Sequence, residues 1–569
     1  MKSPQDKHRS ALELAEASLD EARERVARNP WRLLYHAAAP AYWINDPNGF
    51  CFFRGEYHLF YQHHPFSPEW GPMYWGHLKS RDLVHWEHLP IALAPSEDYD
   101  IDGCFSGSAV VKDDQLWLMY TGNRWTGPDR ENDLLQVQAL AVSDDGIHFE
   151  KFVGNPVIDK APEGDIHPFH FRDPKVWVHE GSYYCVLGSR TQDHRGQVLL
   201  YRSENLTDWT FVSVMAGGKE PANILGYMWE CPDLFSIGGR DILAFSPQGV
   251  APQGDHLYRN LHQAGYVLGQ LDYGTGLLEH GEFVPLDYGF DYYAPQTMED
   301  DRGRRILIAW MAMWESEMPE QASSWAGAMT LPRVLTLENG QVRSRPVPEL
   351  EGLRGEEVRY VNEPIDGAAI GESAAGIETA GASEAAIEGT ASGAAAGSKA
   401  VTASEAATAS QAADGSVSEE TEPKLSGTRA AIRYEREFAG VSGECLELEV
   451  ELDGGTASRF GIVLRADTAR VEETVLAYDR AEERLILDRE RSGAGPGGVR
   501  RAPFSLQEGT LRLRIFLDRS SVEVFAGDGE LAMTARIYPG AESTGIRFFA
   551  DGGEAKLISL RCWSLESER

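Results

Sequence analysis

The sequence predicts an all-β protein, a five-bladed β-propeller followed by a C-terminal β-sandwich. Three observations carry that prediction. A tight turn followed by an apolar strand recurs five times, at intervals of about 60 residues. Each copy follows, by about eight or nine residues, a polar cluster that contains small residues or Pro. After a long stretch almost without large apolar residues, apolar–polar alternation resumes in the last part of the chain.

Residues 1–30 carry mixed charge and no apolar core, which excludes a signal peptide and favours a cytoplasmic protein. Leu12, Leu14, Ala15, Leu19, Ala22 and Val26 predict an amphipathic helix leading into the first strand. No run of about 18 apolar residues occurs, so neither a transmembrane helix nor a membrane partner is expected.

Residues 31–350 are assigned to the propeller. It opens on Trp43-Ile44-Asn45-Asp46-Pro47-Asn48-Gly49-Phe50. An acidic residue before Pro is pushed into extended or turn geometry by the Pro ring, and Asn-Gly permits a tight reversal at positive φ. Asp46 is therefore expected at the start of a strand, beside a hairpin made of 50–53, the turn Arg54-Gly55-Glu56 and 57–61. The repeated turns start at Gly55, Asp114, Gly181, Gly239 and Gly303. The clusters before them are Asn45-Asp46-Pro47, Phe105-Ser106-Gly107, Arg172-Asp173-Pro174, Glu230-Cys231-Pro232 and Ala294-Pro295-Gln296. In a propeller each unit is a four-stranded blade, and equivalent positions converge at one end of the axis. That convergence brings Asp46, Asp173 and Glu230 together. Residues 84–89, 147–151 and 206–211 read as outer strands.

Residues 351–427 read as a flexible linker, because the Ala, Gly, Ser, Thr and Glu that dominate it cannot bury enough apolar surface to offset ordering entropy. Residues 428–569 read as the sandwich. Leu446, Leu448, Val450 and Leu452 alternate with Glu, and the stretches 511–517 and 521–525 follow the same period.

The net charge of -35 argues against a nucleic-acid partner or an anionic membrane surface and favours a small, neutral substrate. The 14 Trp suit sugar binding, since the C–H faces of sugars stack on rings. Six scattered Cys without CxxC spacing read as thiols in a reducing compartment. His63 and His64 lack a companion ligand set, so no metal site is expected.

Three acids in one funnel, with Arg172 beside one of them, suit glycosidic cleavage, which needs two carboxyl groups flanking the bond. One must be protonated and the other ionised, which unlike surroundings can arrange. Glu230, between Trp229 and Cys231, has the more apolar neighbours and is the better acid. Asp46 has Asn45 and Asn48 nearby as donors and suits a nucleophile. Asp173 could anchor sugar hydroxyls, with Arg172 holding both in place.

Trp-Ile-Asn-Asp-Pro-Asn-Gly, Phe-Arg-Asp-Pro and Trp-Glu-Cys-Pro-Asp resemble the signature motifs of glycoside hydrolase family 32, which includes invertases, sucrose-6-phosphate hydrolases, inulinases and levanases. The similarity continues through Tyr61-Gln62, Trp70, Trp75-Gly76-His77, Phe105-Ser106-Gly107-Ser108, Tyr293-Ala294-Pro295-Gln296, Ala309-Trp310-Met311, Trp325-Ala326-Gly327 and Leu331-Pro332-Arg333, and into the sandwich at 515–525. The resemblance implies a retaining β-fructofuranosidase. Asp46 would be the nucleophile, Glu230 the acid/base and Asp173 the transition-state stabiliser. Asn45, Gln62, Trp70, Phe105, Ser106, Arg172 and Trp310 would line the fructosyl pocket. No cofactor and no metal are implied. The partner would be a small sugar, namely sucrose, sucrose 6-phosphate or a short fructan, and the protein a monomer or homodimer. Fructan hydrolysis and fructosyl transfer remain open within the family. A non-catalytic sugar-binding propeller is disfavoured because all three carboxylates are present.

Overall fold

A computed structural model of the 569-residue chain describes residues 3–219, 221–366 and 434–566. Between Tyr42 and Pro346 the chain lays down five successive sheets, four of them four-stranded. Their inner strands are Tyr42–Phe53, Gly103–Lys112, Phe171–His179, Met228–Ile237 and Tyr293–Glu299. Each inner strand touches the next and the fifth touches the first, so the sheets form a propeller-like ring. The short strand Trp325–Ala326, from the fifth unit, pairs in parallel with Tyr42 and Trp43 and gives the first sheet its fifth strand.

Two local expectations change. Asn48-Gly49 makes no reversal: Gly49 has φ +52°, but the chain runs on as one strand from Tyr42 to Phe53 and reverses at Arg54 and Gly55. Asp46 therefore lies inside a strand rather than at its start. The outer strands also begin later than expected, at Glu87, Glu150 and Trp209. The segments before them are turns organised by one carboxylate or amide each. Asp82 Oδ1 accepts from the N–H groups of Val84 and His85, Asp145 Oδ1 from those of Ile147 and His148, and Asn205 Oδ1 from those of Thr207 and Asp208. Such side-chain bonds mimic a backbone turn and compete with strand pairing.

The helix Pro4–Ala27 starts on a capping box between Ser3 and Asp6. Its buried stripe is His8, Ala15, Leu19, Ala22 and Val26, whereas Leu14 faces solvent. Glu16 accepts from Ile91 N–H and His8 from Ala94 N–H, which ties the helix to the edge of the first sheet.

The second unit is a sandwich of two six-stranded sheets around a core rich in Leu, Ile, Val and Phe. Its first strand, Arg354–Ile365, precedes the low-complexity stretch and pairs with Ala555–Leu565. Residues 351–366 are thus not linker. Their charged composition belongs to an edge strand that faces water; it buries Ile365 in the core and leans Val358 and Tyr360 against it. The rest of the expected linker, and the first residues of the expected sandwich, lie outside the described residues.

Propeller and sandwich share a core. Phe516, Phe525 and Ala532 of the sandwich pack with Tyr57, Ile306 and Leu331 of the propeller. Buried ions cross the same interface. His36 lies 2.8 Å from Asp518 and 3.1 Å from Glu523, and Arg333 bonds both Glu523 and Asp287.

Candidate active site

Every inner strand is irregular where its polar cluster sits. Pairing with the neighbouring strand slips between Ile44 and Pro47, Phe105 and Gly107, Arg172 and Lys175, Glu230 and Asp233, and Tyr293 and Gln296. A β-bulge adds a residue to one strand and re-aims its side chains. At three bulges a non-glycine residue takes positive φ: Asp173 (+63°), Cys231 (+48°) and Ala294 (+49°). Strain of this kind, on the order of 1–3 kcal/mol each, persists only where the surroundings over-determine it. Here it turns side chains of widely separated strands into one cavity.

That cavity has a volume of about 240 Å³, and its lining includes Asp46, Asp173 and Glu230. Asp46 accepts from Ser106 Oγ at 2.6 Å and from Asn45 Nδ2 at 3.2 Å. Asp173 accepts from the Cys231 N–H at 2.9 Å. The Cys231 thiol lies between these two carboxylates, 3.5 Å from Asp46 and 3.7 Å from Asp173. Glu230 accepts from Arg172 through Nε (3.1 Å) and Nη2 (2.8 Å), and from Tyr293 Oη (2.6 Å).

The electrostatics follow from crowding three acids in a largely buried site. Burial raises the Asp46 carboxyl above its ordinary value; the Glu230 charge adds to this, while the Ser106, Asn45 and Cys231 bonds oppose it. Asp173 is pushed up to about 7, chiefly by burial and by the charges of Glu230 and Asp46, with Arg172 pulling it back. Burial and the adjacent carboxylates also keep the Cys231 thiol neutral.

The expected lining residues Asn45, Gln62, Trp70, Phe105, Ser106 and Arg172 all face the cavity. Trp310 does not. It is fully buried behind Trp43 and Trp314, and Trp314 forms the wall instead. The sequence reasoning behind Glu230 also needs correction. Trp229 is not an apolar neighbour of the carboxyl, since it points to the opposite face and stacks on Phe245 at 4.1 Å. Arg172 and Tyr293 surround Glu230 instead. Trp125, Arg130, Gln136, His170 and Trp314 were missed as lining residues, and Tyr293 as a partner of Glu230. Tyr293 directly precedes the fifth cluster, so the repeat register could have flagged it; Trp125, Arg130 and Gln136 lie on strand ends and a loop away from the clusters. Among the described residues no group of His, Cys, Asp and Glu is disposed to hold a metal ion. Nor is any helix long and apolar enough to cross a membrane.

Comparison with known proteins places this arrangement. The profile "Glycosyl hydrolases family 32 N-terminal domain" matches residues 36–346, and "Glycosyl hydrolases family 32 C terminal" matches residues 401–564. A sucrose-6-phosphate hydrolase of Zymomonas mobilis is 40% identical, over 100% of this chain and 98% of its own length. The structure of a Bombyx mori GH32 beta-fructofuranosidase superposes with a TM-score of 0.76 at 32% identity, covering 98% of both chains. A mutant of that protein is solved in complex with sucrose. The sucrose-6-phosphate hydrolase of Lactobacillus gasseri gives a TM-score of 0.75 at 26% identity, over 97% of this chain and 96% of that one.

Proposed function

This chain belongs to glycoside hydrolase family 32, and from that premise we propose that it hydrolyses the β-fructofuranosidic bond of sucrose or sucrose 6-phosphate with retention. The observation that carries the reading is the meeting of Asp46, Asp173, Glu230 and Arg172 in one cavity of about 240 Å³.

Asp46 attacks the anomeric carbon of the fructosyl unit as its carboxylate. The bond to the leaving sugar breaks as Glu230 gives its proton to the glycosidic oxygen. Glu230, now ionised, takes a proton from water, and that water attacks the fructosyl–Asp46 ester. Fructose leaves with its original configuration and Asp46 is regenerated. Asp173 accepts hydrogen bonds from fructose hydroxyls as positive charge develops on the ring. Arg172 donates two hydrogen bonds to Glu230 and so fixes the position of its carboxyl group. The six Cys are all free thiols, which supports a cytoplasmic site of action.

The test is fructose release from sucrose and from sucrose 6-phosphate by the wild type and by Asp46→Ala, with the anomeric configuration of the first-formed fructose followed by NMR. Retention, and a loss of roughly 10⁴-fold or more in kcat in the variant, are expected from removal of a covalent nucleophile. Fructose release that survives Asp46→Ala would sink the mechanism.

A further inference from the structure

The cavity gathers three acids around Arg172, and its exposed side carries a second guanidinium. Among the described residues, Arg130 has no ion-pair or hydrogen-bond partner; its guanidinium lies 5.3 Å from the centre of the Trp125 ring. Both side chains line the cavity. The other guanidinium of the lining, Arg172, is committed to Glu230.

Arg130 sits on a loop, residues 126–133, that is closed on itself. Thr126 N–H donates to Asp133 C=O, and Asp129 Oδ1 and Oδ2 accept from Glu131 N–H and Asn132 Nδ2. Asp129 is thereby occupied by the turn rather than by its neighbour Arg130. Glu131 fastens the loop to the fold. Its carboxylate pairs with the buried Arg190, and its C=O accepts from His170 Nε2 at 2.8 Å. His170 is neutral, because burial and the charges of Arg172 and Arg190 hold its pKa far down. With Nε2 donating, Nδ1 is free to accept from Arg172 Nη1 at 3.1 Å. The loop is thus held, through one imidazole, to the guanidinium that grips Glu230.

We propose that Arg130 is the receptor for a phosphate monoester on the leaving sugar of a phosphorylated disaccharide. This deepens the reading of the preceding section and rests on it. A dianion approaching a chain of net charge -35, and three carboxylates, is repelled unless a cation meets it locally. A guanidinium offers two parallel donors that match phosphate oxygens, and its stacking on Trp125 presents that fork already oriented. The phosphate of such a sugar lies on a primary carbon, several bonds from the scissile oxygen. Its receptor therefore belongs at the exposed side, where Arg130 is, and not beside Asp46.

The test compares the wild type, Arg130→Gln and Arg130→Lys on sucrose 6-phosphate and on sucrose, with glucose 6-phosphate and glucose as product inhibitors. In Arg130→Gln the ratio of kcat/KM for sucrose 6-phosphate to that for sucrose falls at least fivefold, through KM, and inhibition by glucose 6-phosphate weakens in parallel. Arg130→Lys recovers part of both effects. In the wild type, added salt raises KM for the phosphorylated substrate more than for sucrose. A ratio that falls by less than fivefold, or falls through kcat alone, overturns the assignment of Arg130 and leaves the fructoside reading standing. A wild type that releases fructose from neither sugar refutes that reading itself.

Discussion

Asp46 works as a nucleophile only while it is ionised, and its surroundings oppose one another on that point. Burial and Glu230 favour the protonated form; Ser106, Asn45 and Cys231 favour the charge. The strongest of these hydrogen bonds is from Ser106 Oγ, at 2.6 Å. A hydrogen bond to a charged group contributes about 1.5–3 kcal/mol. Ser106→Ala should therefore raise the Asp46 pKa further, move the acid limb of the kcat/KM profile to higher pH and lower activity about tenfold or more at pH 6. A pH–rate series on both proteins checks this; an unmoved acid limb would assign that limb to another group. Asp173, at about 7, adds to the same limb, so the wild-type profile should be bell-shaped with its acid side above the ordinary carboxylate range.

At the scale of the element, the bulge is the device that makes a site out of a strand. Unbroken alternation would send neighbours such as Arg172 and Asp173 to opposite faces; the slipped register and positive φ bring both into one cavity. Close backbone approach holds the bulges in place. A Cβ on Gly188 would lie 2.2 Å from Trp229 O and 3.4 Å from Glu230 Cα. Gly188→Ala should therefore displace the strand that carries Glu230, cost about 1–3 kcal/mol of stability as overpacking does, and reduce kcat. Thermal unfolding and steady-state kinetics measure both; a variant of unchanged stability and kcat would show that the strand yields freely. The turns at Asp82, Asp145 and Asn205 illustrate the same limit of period-based reading. They lie within stretches rich in strand-forming residues, and only the side-chain bonds to the following N–H groups mark them as turns.

Across the whole molecule, the two units are joined through apolar packing and through buried ions. Removal of one partner from a buried ionic set leaves an uncompensated charge. His36 is the pH-sensitive member. Burial lowers its pKa, but Asp518 and Glu523 outweigh burial and raise it from 6.5 to about 9. Its folded-state pKa thus exceeds its unfolded one. The stability it contributes, on the order of 3 kcal/mol, is fully present below pH 6.5 and is lost as pH rises through about 9. The wild-type Tm should fall across that window. His36→Gln should have a lower Tm at pH 6 and a flatter slope between pH 6.5 and 9. Equal slopes in scanning calorimetry would remove His36 from the account. Arg333 and Tyr35 also face these carboxylates, and Arg333 keeps its charge throughout.

The sequence by itself determined the repeat, the alternation of the sandwich and the clusters from which the three acids come, because periodicity and composition are local properties of a chain. It also placed Asn45, Gln62, Trp70, Phe105, Ser106 and Arg172 at the site, since family resemblance preserves position along the chain. Tertiary structure alone decided which neighbours share a face. Trp310 is behind the wall and Trp314 in it, and Glu230 meets Arg172 and Tyr293 rather than Trp229. The charged strand Arg354–Ile365 joins a sheet only because Ala555–Leu565 lies beside it. A side chain's environment is set by what other strands bring to it across space, and that information does not reside in its neighbours along the chain.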